Sequence, residues 1–144
     1  MATKPLRILH CAMFSVNKYG ANYYSGHTRL SNGFIRNGHF VYNFSYRDVA
    51  REEAPLGIKE LGMKKMNKRF VETAERISAD VVLLGHAEFV EAETLIEIKK
   101  RLPNCKIVMW WVDWWHNLVK YDAVMSRRMS LLDALFMTSK PDYV

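Results

Sequence analysis

Lys106-Ile107-Val108-Met109-Trp110-Trp111-Val112-Asp113-Trp114-Trp115-His116-Asn117 changes character halfway along. From Ile107 to Val112 apolar residues occupy consecutive positions, which is how a strand buried on both faces of a parallel sheet reads. From Asp113 to His116 come a carboxylate, two further indoles and an imidazole. A buried strand thus empties into a polar, aromatic mouth. In open α/β sheets ligands bind beyond the carboxyl ends of the strands, so Asp113, Trp114, Trp115 and His116 are the first candidates for ligand contact.

Strand and helix patterns alternate on either side of this stretch. Residues 6–12 form a short apolar run after Pro5 and read as the first strand; His10 within it reads as a packed, hydrogen-bonded core residue. Residues 13–26 are too many for an economical strand-to-helix turn. There Gly20 lets a ligand approach the backbone, Lys18 meets a phosphate or acid, and Tyr19, Tyr23 and Tyr24 stack on a sugar or base; the other reading is a glycine-relieved surface loop whose tyrosines cover the sheet edge. A helix is expected over 27–37, with Leu30 and Phe34 inward and Gly38 stopping it. Residues 39–45 return as a second strand, completing a right-handed crossover unit.

Residues 46–60, with mixed charge, Pro55 and Gly57, read as an exposed connection. Met63, Met66, Phe70, Ala74 and Ile77 mark the inner stripe of a helix over 62–79. Residues 81–85 are the third strand, with His86 and Glu88 at its carboxyl end, and a helix over 91–102 stops at Pro103-Asn104. After the opening stretch come a helix around 118–129 and a fifth strand near 134–138.

The pattern predicts an α/β fold, a Rossmann-like three-layer sandwich with a mostly parallel sheet of about five strands, built as one domain over 1–144. No covering helix is read after the fifth strand, so the chain is expected to be the amino-terminal half of a longer two-domain protein. A composition of 49% hydrophobic and 25% charged residues is that of a globular chain. No apolar run approaches the roughly 18 residues of a membrane span, and the start lacks a signal-peptide core, so a cytoplasmic location is expected.

The formal charge of +6 permits attraction to phosphate, including an anionic membrane surface at which the chain would sit peripherally. Lys64, Lys65, Lys68 and Arg69 share one expected helix and read as a solvated face; no RNA- or DNA-binding module accompanies them, so nucleic acid is not an expected partner. Cys11 and Cys105 lack both disulfide-framework and metal-ligand spacing and read as buried thiols; no metal site is expected.

Several catalytic motifs fail on spacing. Gly20 is followed after five residues by Gly26-His27-Thr28, whereas a phosphate-cradling P-loop needs four residues and a lysine before Ser or Thr. Gly-x-Gly-x-x-Gly and Gly-x-Ser-x-Gly are both absent, which argues against dinucleotide-fingerprint and nucleophile-elbow chemistry. Thr138-Ser139-Lys140-Pro141 resembles the lysine and proline of a response-regulator receiver, but Ala12-Met13 stand where its metal-binding acids belong.

A resemblance of a different kind runs along nearly the whole chain. Arg7-Ile8-Leu9-His10 resembles the opening strand of the amino-terminal half of a GT-B glycosyltransferase, of the spore-maturation and family-4-like group. Gly20 falls where that family keeps a glycine loop, and Leu30 through Asn37-Gly38-His39-Phe40-Val41 resembles its leucine-rich helix ending in Gly-His-x-Val. Ala79-Asp80-Val81-Val82-Leu83-Leu84-Gly85-His86 resembles its Asp-Val-Val strand ending in histidine, and Val112-Asp113-Trp114-Trp115 its aspartate and aromatic mouth. The chain departs from the pattern in having Gly20 alone where many relatives have a glycine pair.

The resemblance implies the acceptor-side domain of a nucleotide-sugar-dependent transferase acting on a bacterial glycan, glycolipid or protein. It implies no metal and no cofactor bound by this domain, with the nucleotide-sugar donor held by a second, carboxyl-terminal domain. On this reading Asp113 is the general base or acceptor-orienting carboxylate, with His86 as the second candidate. Lys18, Tyr19, Gly20, Tyr23, Trp114, Trp115 and His116 are then the acceptor contacts. Trp111 would offer a further flat face, while Trp110 is expected in the sheet-to-helix core or at the interface with the second domain. The alternative is a non-catalytic Rossmann-like module that binds a nucleotide or a partner protein.

Overall fold

The computed structural model describes residues 4–16, 19–20, 22–113 and 122–138. Its elements are β1 (Arg7–Ala12), α1 (Gly26–Arg36), β2 (Phe40–Ser45), α2 (Tyr46–Glu52), α3 (Lys59–Arg76), β3 (Val81–Gly85), α4 (Ala92–Arg101), β4 (Lys106–Trp111), α5 (Asp122–Met129) and β5 (Ala134–Met137). The five strands pair in the order β2-β1-β3-β4-β5, every pair parallel. This is the α/β, Rossmann-like sandwich that the alternating pattern predicts.

Alternate strand residues divide the interior in two. Leu9, Cys11, Leu84, Met109 and Trp111 point to one side, where they bury against Met66, Phe70, Leu95 and Ile98 of α3 and α4. Ile8, Leu83, Val108, Trp110 and Phe136 point to the other, towards Leu30 and Phe34 of α1, and line an apolar groove of about 450 Å³. β4 is therefore not buried on both faces as its sequence predicts: Ile107, Met109 and Trp111 are buried, whereas Val108 and Trp110 are only half so. Among the described residues α1 is the one helix on that side, and a helix about 10 Å wide cannot cover strands spaced about 4.8 Å apart across the whole sheet.

Residues 46–60 differ most from expectation. They are not an exposed connection but carry α2, because Tyr46 and Ala50, one helical turn apart, both bury against the core. Pro55 and Gly57 form only a short 3-10 turn. Arg69 ties α2 to α3 by donating to Glu52 at 2.9 Å and Glu53 at 3.1 Å. α3 starts at Lys59 and ends at Arg76, three residues ahead of the expected span, with Met66, Phe70 and Ala74 buried as its stripe requires. Lys64, Lys65 and Lys68 are exposed, as a solvated face would be.

Cys11 and Cys105 are buried free thiols. The helix expected over 118–129 is described from Asp122 onward, and its first part lies outside the described residues. Among the described residues no helix is long and apolar enough to cross a membrane.

Candidate functional site

β1 and β3 are neighbours, but the connections leaving their carboxyl ends run to opposite faces of the sheet, to α1 and to α4, so a crevice opens between them. His27, in the first turn of α1, lies over this crevice against Gly85, the last residue of β3. A Cβ at position 85 would meet His27 Cε1 at 2.6 Å, so glycine is what lets the imidazole rest on the strand backbone. On its other side His27 meets Trp110 edge-to-face, with ring centroids 5.5 Å apart.

His86 occupies the β3 side of the crevice in an unusual backbone conformation. Its φ is +61° and that of Ala87 is +48°, and the Ala87 N–H donates to Gly85 O at 2.8 Å, closing a three-residue turn around His86. Left-handed conformations at non-glycine residues cost on the order of 1–3 kcal/mol each and persist only where the surroundings over-determine them. Two buried side chains do so here. Asn67 of α3 donates to Phe89 O at 2.8 Å and accepts from Glu91 N at 3.1 Å. Arg128 of α5 donates to Ala87 O at 2.7 Å and to His86 O at 3.2 Å.

The His86 ring stacks on Trp111 with centroids 4.2 Å apart and planes inclined by 19°. The Val112 N–H donates to His86 Nε2 at 3.3 Å. Nε2 therefore carries no hydrogen, and the hydrogen sits on Nδ1, which faces Asp113 Oδ2 at 3.6 Å. Burial lowers the His86 pKa; Asp113 opposes that shift, and Arg128 and Arg47 add to it. At neutral pH the ring is accordingly neutral, with its N–H dipole directed at the carboxylate. Asp113, whose side chain is 48% exposed, is the member of the pair that meets solvent. While Val112 holds Nε2, His86 is not free to act as a base there; it orients Asp113, whose outer oxygen can accept a hydrogen bond or proton from an incoming hydroxyl.

Two further carboxylates follow the ends of β2 and β3, Asp48 in α2 and Glu88 two residues after His86. Glu88 accepts from Arg47 Nη2 at 2.9 Å and from the Tyr46 hydroxyl. Asp48 accepts from Val16 N at 2.9 Å and from the Ser45 hydroxyl, while Ser45 Oγ accepts from Phe14 N at 3.3 Å. In dinucleotide folds the amides after the first strand help to cradle phosphate. Here the Val16 amide is already taken by the chain's own Asp48 carboxylate.

Beneath the crevice His10 is fully buried, as a packed core histidine should be. Ser31 donates to Asn43 Oδ1 at 2.7 Å, which leaves Ser31 Oγ to accept from His10 Nδ1 at 2.7 Å. Burial, with nearby His27 adding to it, pushes the His10 pKa down to about 3. An unfolded histidine titrates near 6.5, so below that pH the unfolded chain binds more protons than the folded one. Stability is full above about pH 6.5 and is lost as pH falls towards about 3, by about 2 kcal/mol between pH 6.5 and 5. Urea unfolding at those two pH values measures this. His10→Gln should remove most of the slope, and a slope unchanged by that substitution would show that His10 is not its source.

The structure thus brings Asp113 and His86 together from the ends of adjacent strands. Tyr19, Gly20 and Tyr23 lie on the connection after β1, where both tyrosines are exposed. Gly20 has φ +96°, which favours glycine, with open space where a side chain would stand. Tyr23 packs edge-on against exposed Tyr24 rather than covering the sheet edge. Lys18, Trp114, Trp115 and His116 lie outside the described residues. Trp111 cannot stack on a sugar: it is 1% exposed, on the α3 and α4 side, with a face against His86. Trp110, expected in the core or at an interface with a second domain, is half-buried beside the groove.

Sequence reasoning missed His27, Tyr46, Arg47, Asp48 and Arg128. The signal for Arg128 was its place in the spacing Met125, Arg128, Leu132, an otherwise apolar stripe at intervals of three and four. Among the described residues no three His, Cys, Asp or Glu side chains converge as a metal site would require. No protein-family model and no curated protein matches the chain.

Proposed function

We propose that the crevice receives a hydroxyl-rich saccharide and that the chain forms the acceptor side of a nucleotide-sugar-dependent glycosyltransferase. The observation that carries this reading is Asp113, an exposed carboxylate at a strand end with a neutral imidazole N–H directed at it. Carboxylates recognise sugar hydroxyls through charge-assisted hydrogen bonds, and the same group can take the hydroxyl proton as the oxygen attacks. In such a transfer the acceptor oxygen bonds to the anomeric carbon of the donor, the bond from that carbon to phosphate breaks, and the nucleoside diphosphate leaves. The donor would be held by a second domain, and the acceptor would be a glycan, glycolipid or protein. The net charge of +6 supports a peripheral approach to an anionic membrane if the acceptor is lipid-linked.

Titration of the isotope-labelled chain with mono- and disaccharides, and separately with UDP and GDP, tests the reading. Saccharides are expected to shift the Ala87, Val112 and Asp113 amides with roughly millimolar affinity, and Asp113→Asn to weaken them about tenfold, the worth of a charged hydrogen bond. The second reading, a nucleotide-binding module, wins if the nucleotides shift the Phe14 to Val16 amides and no saccharide shifts Asp113.

A further inference from the structure

We propose that Arg128 is a positioning residue for the Asp113 site, acting through His86. The inference rests on the reading of Asp113 as the carboxylate that meets the acceptor. Arg128 is 1% exposed. Its Nη1 donates to Ala87 O at 2.7 Å and lies 3.4 Å from Val90 O, and its Nη2 donates to His86 O at 3.2 Å and contacts Met125 Sδ at 3.1 Å. Among the described residues no carboxylate lies within ion-pair distance of it, so this buried cation is committed to backbone carbonyls.

Desolvating a guanidinium is costly, and the carbonyls that compensate it belong to the left-handed turn: His86 and Ala87 are the two residues with positive φ there. Fixing the direction of the His86 carbonyl fixes the peptide plane that follows it. The backbone from which the ring projects is then set, so the ring lies on Trp111 with Nε2 under the Val112 amide and Nδ1 towards Asp113. His86 is thus held at two ends, its ring by β4 and the residues after it, its carbonyl by α5. Lysine, with a single ammonium on a flexible stem, cannot reproduce the planar fork that spans these carbonyls. Without the fork the turn is free to relax to ordinary φ, the ring leaves Val112, and Asp113 loses the dipole that orients it.

The test reads the imidazole nitrogens of His86 directly, by nitrogen-15 NMR at neutral pH, in the wild type, Arg128→Lys and Arg128→Met. The wild type is expected to show the tautomer with hydrogen on Nδ1. Arg128→Met should move His86 to a mixture of tautomers and Arg128→Lys part of the way, while Val71→Ala, a destabilising change on α3, should leave the tautomer as in the wild type. If Arg128→Met does not fold, Arg128→Lys decides. The proposal is overturned if the folded Arg128 variants keep the wild-type tautomer, or if Val71→Ala shifts it equally. No sugar enters this measurement, so loss of the tautomer without any saccharide binding would sink the acceptor reading and leave the role of Arg128 in place.

Discussion

On the acceptor-side reading proposed above, Asp113→Asn is expected to lower glycosyl transfer about 100-fold, the lower end of what a positioned general base contributes. That loss corresponds to about 2.7 kcal/mol of transition-state stabilisation. The amide has nearly the shape of the carboxylate and keeps an oxygen that accepts hydrogen bonds, but it cannot take up a proton. Folding should be almost untouched, because the Asp113 side chain is 48% exposed and its contact with His86, at 3.6 Å, is longer than a hydrogen bond. Steady-state turnover measured beside a thermal melt separates the two effects. Turnover within twofold of wild type would mean that Asp113 is not the base, and that the leaving diphosphate of the donor is the better candidate for that role.

Gly62→Ala is expected to cost about 3 kcal/mol or more, lowering the thermal midpoint by roughly 10 °C. Propensity points the other way: within a helix alanine is favoured over glycine by about 1 kcal/mol. Contact decides the sign. Gly62 lies in α3 where that helix crosses α2, and a Cβ there would stand 1.8 Å from Ala50 O, 2.8 Å from Ala50 C and 3.0 Å from Ala54 N. These are backbone atoms, which cannot swing aside as a side chain can, so α2 must separate from α3 and withdraw Tyr46 and Ala50 from the core. A melt of Gly62→Ala at or above the wild-type midpoint would show that the two helices pack less closely than this. Because Tyr46 also bonds Glu88, loosening α2 should disturb the segment after β3 as well.

What was legible before folding was the part governed by local pattern. The apolar runs that became β1, β3 and β4 follow from side-chain period, and the stripe of Met66, Phe70 and Ala74 from helical period. Asp113 and His86 could be picked out because polar residues directly after an apolar strand stand at its carboxyl end. α2 was misread because seven residues with mixed charge carry little periodic signal, and only burial of Tyr46 and Ala50 against distant strands makes them a helix. Arg128 was passed over because its partners are carbonyls some forty residues earlier in the chain, a relation that no local spacing encodes.

Residue pattern alone was thus enough for an alternating α/β chain with a chemically distinct mouth after β4, since strands and helices announce themselves through the period at which apolar side chains recur. Only the folded chain put β3 between β1 and β4, because strand order is set by which long-range pairings bury the most apolar surface at once. That order places the His86 turn beside His27 and Asp113. It also places Trp111 beneath His86 rather than before a ligand, since a single position along a strand exchanges one face of the sheet for the other.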